Sequence, residues 1–96
     1  MIIEQGIFTI TPGREAAFEE AYEKARQVIA RAPGFQSVRL SRGIEHPSTY
    51  LLLVAWDTLE AHMDGFRESP LFLEWRGHIG SYFAEAPVVQ HFEPVP

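Results

Sequence analysis

The run "TYLLLVAW", residues 49–56, constrains the fold of this chain more than any other stretch of the sequence. Its composition is typical of a β-strand, and apolar residues occupy both faces of that strand. An antiparallel strand with one face in water would alternate apolar and polar residues, so this strand must be covered on both sides. Helices of the same chain can supply one cover. We expect a second subunit to supply the other, because few residues remain to do so.

The composition favours a single domain, residues 1–96, that associates with itself. The chain has only 96 residues, yet 46% of them are hydrophobic and 12% aromatic. So short a chain has a thin core, and surplus apolar surface is usually covered by forming a homodimer. The net charge of −5 argues against a nucleic-acid partner. The absence of cysteine excludes disulfides and thiolate metal sites.

The first residues, "MIIEQGIFTI", lack the basic region and long apolar run of a signal peptide. No apolar run approaches the ~20 residues needed to span a bilayer. The sequence therefore predicts a soluble, cytoplasmic protein without a membrane partner.

Periodicity predicts a strand at residues 2–10, a helix at 13–31 and two strands at 35–43 and 49–56. A pair of helices follows within 56–83, and a last strand covers 88–95. This order is that of an α+β, ferredoxin-like βαββαβ fold, with a four-stranded antiparallel sheet and helices on one face. We expect two such sheets to pack face to face in the homodimer. Pro94 and Pro96 predict that the last strand lies at a sheet edge or frays.

Side-chain alternation predicts which residues share a face. In the second strand, Val38 and Leu40 lie on one face, and Phe35 and Arg39 fall on the other. Asp57 is the predicted cap of the first helix of the pair, with Glu60 completing a capping box. The inner faces of the two paired helices are predicted to hold Leu59, His62, Met63, Phe66, Leu71, Phe72, Trp75 and Ile79. Arg76 is predicted on the solvent side.

Four stretches resemble the antibiotic biosynthesis monooxygenase (ABM) family of the dimeric α+β barrel group, and together they cover nearly the whole chain. They are "TPGREAAFEEAY", "PGFQSVRL", "YLLLVAWDTLEAHMDGFRESPLFLEWRG" and "VVQHFE". The most specific piece is a strand ending in Trp, a capped helix, and "SP" opening a helix with an internal aromatic residue. The resemblance implies a cofactor-free monooxygenase that oxidises a small aromatic, phenolic or quinol substrate held between sheet and helices.

A related branch resembles haem-degrading monooxygenases, which use an asparagine, a tryptophan and a histidine. These positions correspond to Gly6, Phe66 and Arg76, and all three depart from that pattern. Haem binding is therefore disfavoured. It stays open only through His78, which lies two residues from the expected ligand position and would need a shift of the helix register.

The residues that could carry chemistry are histidines, aromatic residues and one arginine. His62 and His78 are the candidate catalytic bases, since histidine can accept a proton near neutral pH. The candidate substrate-binding residues are Trp56, Phe66, Phe72, Trp75, Tyr82 and Arg39. His91 could face a partner subunit or the pocket. No spacing specifies a metal site, and no glycine-rich fingerprint specifies a dinucleotide cofactor.

Each candidate also has a purely structural interpretation. The histidines could be satisfied groups near the core, and aromatic stripes more often form a core than a binding site. Arg39 is more simply explained by a carboxylate partner across the barrel. The alternative to an oxygenase is accordingly a non-enzymatic dimer that binds a small apolar ligand, or haem, on the same scaffold.

Overall fold

The computed structural model describes residues 1–96. Its elements are β1 (Ile2–Thr9), α1 (Glu15–Ile29), β2 (Phe35–Arg42), β3 (Thr49–Trp56), a π-helical segment (Ala61–Phe66), α2 (Pro70–Ile79), a 3₁₀ turn (Gly80–Tyr82) and β4 (Val88–Phe92). This order confirms the predicted ferredoxin-like α+β fold. The helices and outer strands are a few residues shorter than their patterns predicted.

The four strands form one antiparallel sheet in the order β2-β3-β1-β4. The two-sided apolar strand β3 and its neighbour β1 occupy the centre. The short strand β4 lies at the edge, as the prolines that follow it predicted. No helix of the structure is both long enough and apolar enough to cross a membrane.

The period of two in β1 and β3 decides which side chains meet the helices. In β3, Tyr50, Leu52, Val54 and Trp56 are each at most 1% exposed, because α1 and α2 cover that face. The residues between them point to the other face, where Leu53 is 37% exposed. One chain therefore covers only one side of a strand that is apolar on both.

The prediction for Phe35 was wrong, because β2 begins with an irregularity that the alternation does not reveal. Phe35 pairs with Trp56 and Ser37 pairs with Ala55, so the register shifts between Phe35 and Ser37. The extra residue turns Phe35 to the helix side, where its ring meets that of Trp56 edge-on. Val38 and Leu40 share that side, as predicted.

The helical segment after β3 also begins differently from its prediction. The Thr58 hydroxyl, rather than the Asp57 carboxylate, accepts the hydrogen bond from the Ala61 N–H, at 3.1 Å. Asp57 instead accepts a hydrogen bond from the Gln36 side chain at 2.8 Å. The segment then widens into a π-helix, in which the Arg67 N–H donates to the His62 carbonyl at 2.9 Å. Leu59, which precedes the π-helical segment, is 42% exposed, so its prediction for the inner face was wrong, whereas His62 is buried as predicted.

Candidate active site

A cavity of about 300 Å³ lies between the helix-covered face of the sheet and the segment from the π-helix to β4. This volume is at the small end of the range for ligand pockets. Its walls combine apolar and aromatic side chains with four polar ones. The lining residues are Glu4, Phe8, Leu52, His62, Arg67, Phe72, Trp75, Arg76, Phe83, Pro87 and Val89.

Glu4 is the buried acid of this cavity. It projects from β1 on the helix side and is 6% exposed. The Trp56 indole N–H donates a hydrogen bond to Glu4 Oε1 at 2.9 Å, and His62 Nε2 lies 3.3 Å from the same oxygen. Burial raises the pKa of the Glu4 carboxyl, and the Trp56 hydrogen bond and the charge of Arg67 oppose that rise. The carboxyl is thereby shifted toward the range in which an acid–base catalyst works near neutral pH.

His62 lies next to Glu4, and its ring stacks on the Trp56 indole with centroids 5.2 Å apart. Its Nδ1 atom shares a hydrogen bond of 2.8 Å with Nε2 of His91, which reaches in from β4. Burial, together with the charges of His91 and Arg67, lowers the pKa of His62 to about 4. His62 is therefore neutral at pH 7.

The ionisation of Glu4 dictates which nitrogen of His62 carries the proton. A neutral imidazole has one N–H donor and one bare acceptor nitrogen. Beside an ionised Glu4, the favourable tautomer directs Nε2–H at the carboxylate and leaves Nδ1 to accept the N–H of His91. The opposite tautomer would place a bare nitrogen against the carboxylate, which becomes favourable only when Glu4 is protonated. The state of Glu4 is thus coupled to the hydrogen bond between His62 and His91.

Three of the residues predicted for the site line the cavity, namely His62, Phe72 and Trp75. Trp56 and Phe66 lie behind it. Both are buried, and their rings pack against His62 from outside the cavity surface. They support the site without lining it.

The other predicted residues lie elsewhere. His78 is half-buried in grooves between α1 and α2, beside Lys24 on the outer side of the helices. Tyr82 borders one of these grooves, and Arg39 is exposed on β2 opposite Leu53. No carboxylate forms an ion pair with Arg39. Roles for these three residues in substrate handling remain predictions that the shape of the cavity does not support.

Sequence reasoning missed Glu4, Arg67 and Arg76. Glu4 had a visible signal, because it has the same parity in β1 as Phe8 and Ile10 and is therefore an acid on the buried face of a strand. Arg76 is exposed, as predicted, but its side chain also lines the cavity, which the sequence did not indicate. Helical periodicity cannot show that a cavity opens beside a solvent-facing position.

The cavity does not fit haem ligated through a histidine. His62 has both ring nitrogens engaged, His91 is bonded to His62, and His78 lies outside. Gly6 stands where the haem-degrading pattern has its asparagine. Even a Cβ atom at this position would lie only 3.3 Å from the Phe8 ring. No group of three or more metal-binding side chains is placed to hold a metal ion.

Sheet, helices and cavity together define a ferredoxin-like α+β protein with a partly open cavity of a size suited to a small ligand. The sequence profile of the antibiotic biosynthesis monooxygenase family matches residues 1–77. A Bacillus subtilis protein, YczJ, is 37% identical over 95 residues, covering 99% of this chain and 100% of the relative. The chain belongs to the antibiotic biosynthesis monooxygenase family.

Solved structures agree with this assignment. A crystal structure from Bordetella bronchiseptica that carries the family's name has a TM-score of 0.95 and 44% identity, covering 99% of this chain and 97% of that one. A variant of SnoaB, described as a cofactor-independent oxygenase from Streptomyces nogalater, has a TM-score of 0.82 and 22% identity. The alignment covers 97% of this chain and 91% of SnoaB. At that identity, the likeness to SnoaB concerns the fold.

Proposed function

We propose that the protein is a cofactor-independent monooxygenase that oxidises a small phenol or hydroquinone between the sheet and the helices. The observation that carries this proposal is the position of Glu4, a buried carboxyl that opens onto a cavity with aromatic walls and contacts neutral His62. Membership of the family supports it, as does the fold shared with SnoaB, described as an oxygenase without a cofactor.

In this proposal Glu4 accepts the proton of the substrate hydroxyl. The resulting phenolate is electron-rich, and a ring carbon transfers electrons to O₂ and forms a C–O bond. The oxygenated ring carbon then loses its hydrogen as a proton while the O–O bond breaks, so that one oxygen atom stays on the ring as a carbonyl. The other oxygen departs as hydroxide, takes up a proton and leaves as water. The substrate supplies all four electrons and becomes a quinone. Phe72 and Trp75 orient the ring between the sheet and the helices.

His62 acts on Glu4 and not on the substrate, because both of its ring nitrogens face protein groups. Its Nε2–H orients the carboxylate without forming an ion pair, since the ring is neutral at pH 7. A charged histidine at this place would stabilise ionised Glu4 and weaken it as a base. This assigns the predicted catalytic residue His62 a positioning role.

Oxygen consumption across a panel of hydroquinones and polyketide-like phenols tests the proposal. Glu4→Gln should lower turnover by about 10²-fold or more, the usual effect of losing a general base, while ligand affinity changes little. His62→Asn should also lower turnover and should shift its pH profile, which a residue serving only stability would not do. His46→Gln, in the exposed β2–β3 turn, is the control for loss of a histidine.

Two outcomes would contradict the assignment. Background oxygen uptake by the wild-type protein across the panel, with ligand binding intact, would indicate the non-enzymatic ligand-binding alternative. A loss of turnover in His78→Asn that matches the loss in Glu4→Gln would move the base to the outer groove between α1 and α2.

We further propose that the uncovered face of the sheet forms a homodimer. The apolar residues on this face come from three neighbouring strands and are Ile3, Ile7, Leu51, Leu53, Val88 and Phe92. Val88 is 61% exposed and Phe92 49% exposed, which is unusual for a cluster of large apolar side chains. A second copy of the same face would cover both sheets.

Size-exclusion chromatography with light scattering should therefore give the mass of a dimer for the wild-type protein. The Leu53→Glu variant should give the mass of a monomer. Leu73→Glu is the matched control, because Leu73 is 73% exposed on α2, away from the sheet. A wild-type protein that is monomeric at micromolar concentration would reject the dimer.

A further inference from the structure

Two arginines that line the cavity form no ion pair with a carboxylate, although the charge of Arg67 acts on Glu4 from a distance. Arg67 precedes α2 and Arg76 lies in its last turn, and both line the cavity. The arginines that form ion pairs lie elsewhere, as Arg26–Glu23, Arg31–Glu74 and Arg42–Glu19. Two unpaired guanidinium groups at one cavity are notable in a chain with 13 acidic and eight Lys or Arg residues.

The charges at the cavity do not cancel. Glu4 contributes at most one negative charge, the two guanidinium groups contribute two positive charges, and His62 is neutral. The cavity is therefore positive by at least one charge, although the whole chain carries a formal charge of −5. A concave site with an excess of one sign of charge attracts ions of the opposite sign.

The two arginine side chains that line the cavity lie beside different neighbours. The guanidinium carbon of Arg67 lies 5.6 Å from the centroid of the Phe72 ring, within the range of a cation–π contact. The Arg76 side chain passes beside Gly80, where an added Cβ atom would lie 3.4 Å from Arg76 Nε. Both arginines line the same cavity as Phe72 and Trp75.

We propose that the ligand of this cavity is an aromatic carboxylate, whose ring lies against Phe72 and Trp75 and whose carboxylate binds Arg67 and Arg76. A carboxylate fits because it is already ionised at neutral pH, so the site need not remove a proton from it. Its two oxygens also match the N–H pairs of guanidinium groups. The inference that a ring hydroxyl faces Glu4 rests on the proposed function. The inference of a carboxylate contact does not, because it follows from the unpaired arginines.

A matched pair of probes tests the charge requirement, namely 6-hydroxy-2-naphthoate and its methyl ester, which share their rings and hydroxyl. Binding is measured by calorimetry and by quenching of tryptophan fluorescence. We expect the wild-type protein to bind the acid about tenfold or more tightly than the ester, a difference of about 1.4 kcal/mol. The double substitution Arg67→Gln and Arg76→Gln should reduce the ratio to about one and leave the affinity for the ester unchanged.

Arg14→Gln is the matched control. Arg14 is exposed, lacks a carboxylate partner and lies over an aromatic ring, Tyr82, at 5.0 Å, but it does not line the cavity. The preference for the acid should survive this change and should weaken with added salt. Since both cavity arginines are exposed, the double variant should unfold in urea close to the wild-type midpoint.

Equal affinity of the wild-type protein for acid and ester would overturn the proposal, as would a preference for the acid that persists in the double variant. Oxygen uptake is measured separately on the same probes. A preference for the acid without oxygen uptake supports the carboxylate site and rejects the oxygenase. Oxygen uptake with equal affinity for acid and ester supports the oxygenase and rejects the carboxylate site.

Discussion

The indole N–H of Trp56 donates to the carboxylate of Glu4 at 2.9 Å, and both side chains are buried. The bond joins the end of β3 to the start of β1 on the face that the helices cover. It places the hydrogen-bonded acid beside His62, whose ring stacks on the same indole. Trp56 therefore serves the site through the core: its ring fills space and its N–H holds the acid.

Trp56→Phe should lower the free energy of unfolding, because it removes a hydrogen bond to a buried carboxylate and some ring volume. Loss of a hydrogen bond to a buried group costs about 1–3 kcal/mol. Urea denaturation at pH 7 measures the change. The same substitution in a Glu4→Leu background, which has no acceptor for the indole N–H, separates the bond from the packing, since packing loss is common to both. An identical cost in the two backgrounds would show that the bond to the charged group adds nothing.

Stability should fall as the pH drops from about 6.5 to about 4, because His62 must stay neutral in the folded protein. Burial lowers the pKa of His62 from 6.5 to about 4. Between these values the unfolded chain binds a proton that the folded protein excludes. The stabilisation is complete above pH 6.5 and is lost progressively below it, by at most about 3 kcal/mol.

His62→Gln should flatten this part of the profile of unfolding free energy against pH, and His46→Gln should not. The raised pKa of Glu4 has the opposite sign, because the folded state then holds a proton that the unfolded chain releases. The informative quantity is therefore the difference between the wild-type profile and that of His62→Gln. A constant difference between pH 4 and 6.5 would contradict the prediction.

Gly34→Ala should destabilise the protein more than Gly13→Ala. Both glycines have positive φ, +85° and +92°, so an alanine at either position adopts a strained backbone at a cost of about 1 kcal/mol. Only at Gly34 would the new Cβ meet another atom, Ala61 Cβ, at 2.6 Å, whereas Gly13 has open space. Thermal or urea denaturation should show a clearly larger loss for Gly34→Ala. Equal losses would mean that the start of the π-helical segment shifts freely.

The fold could be predicted because its signals are local. The parity of β1 and the two-sided apolar pattern of β3 each follow from a few consecutive residues. Phe35 could not be placed, because a bulge depends on how β2 pairs with β3, and the alternation of one strand does not contain that information. Leu59 is a second such case, since it is 42% exposed although helical periodicity placed it on the inner face.

The site was less predictable than the fold because its contacts join distant parts of the chain. His62 was expected to point inward, but its partners Glu4 and His91 come from β1 and β4. Those contacts require β1 and β4 to pair so that Glu4 lies opposite His91. No local pattern in the sequence shows that pairing. The cavity arginines were missed for a related reason, since an exposed side chain becomes a binding group only when a concave surface forms beside it.

The pairing of β1 with β4 also has a kinetic consequence. Glu4 and His91 come from opposite ends of the chain, so this edge of the sheet forms only after the longest loop in the protein closes. A chain in which β1, β2, β3 and both helices had formed could already be compact while His62 still lacked its bond to His91. The hydrogen bond that completes the proposed catalytic group would then report the final step of folding, and ligand binding would select chains that have finished it.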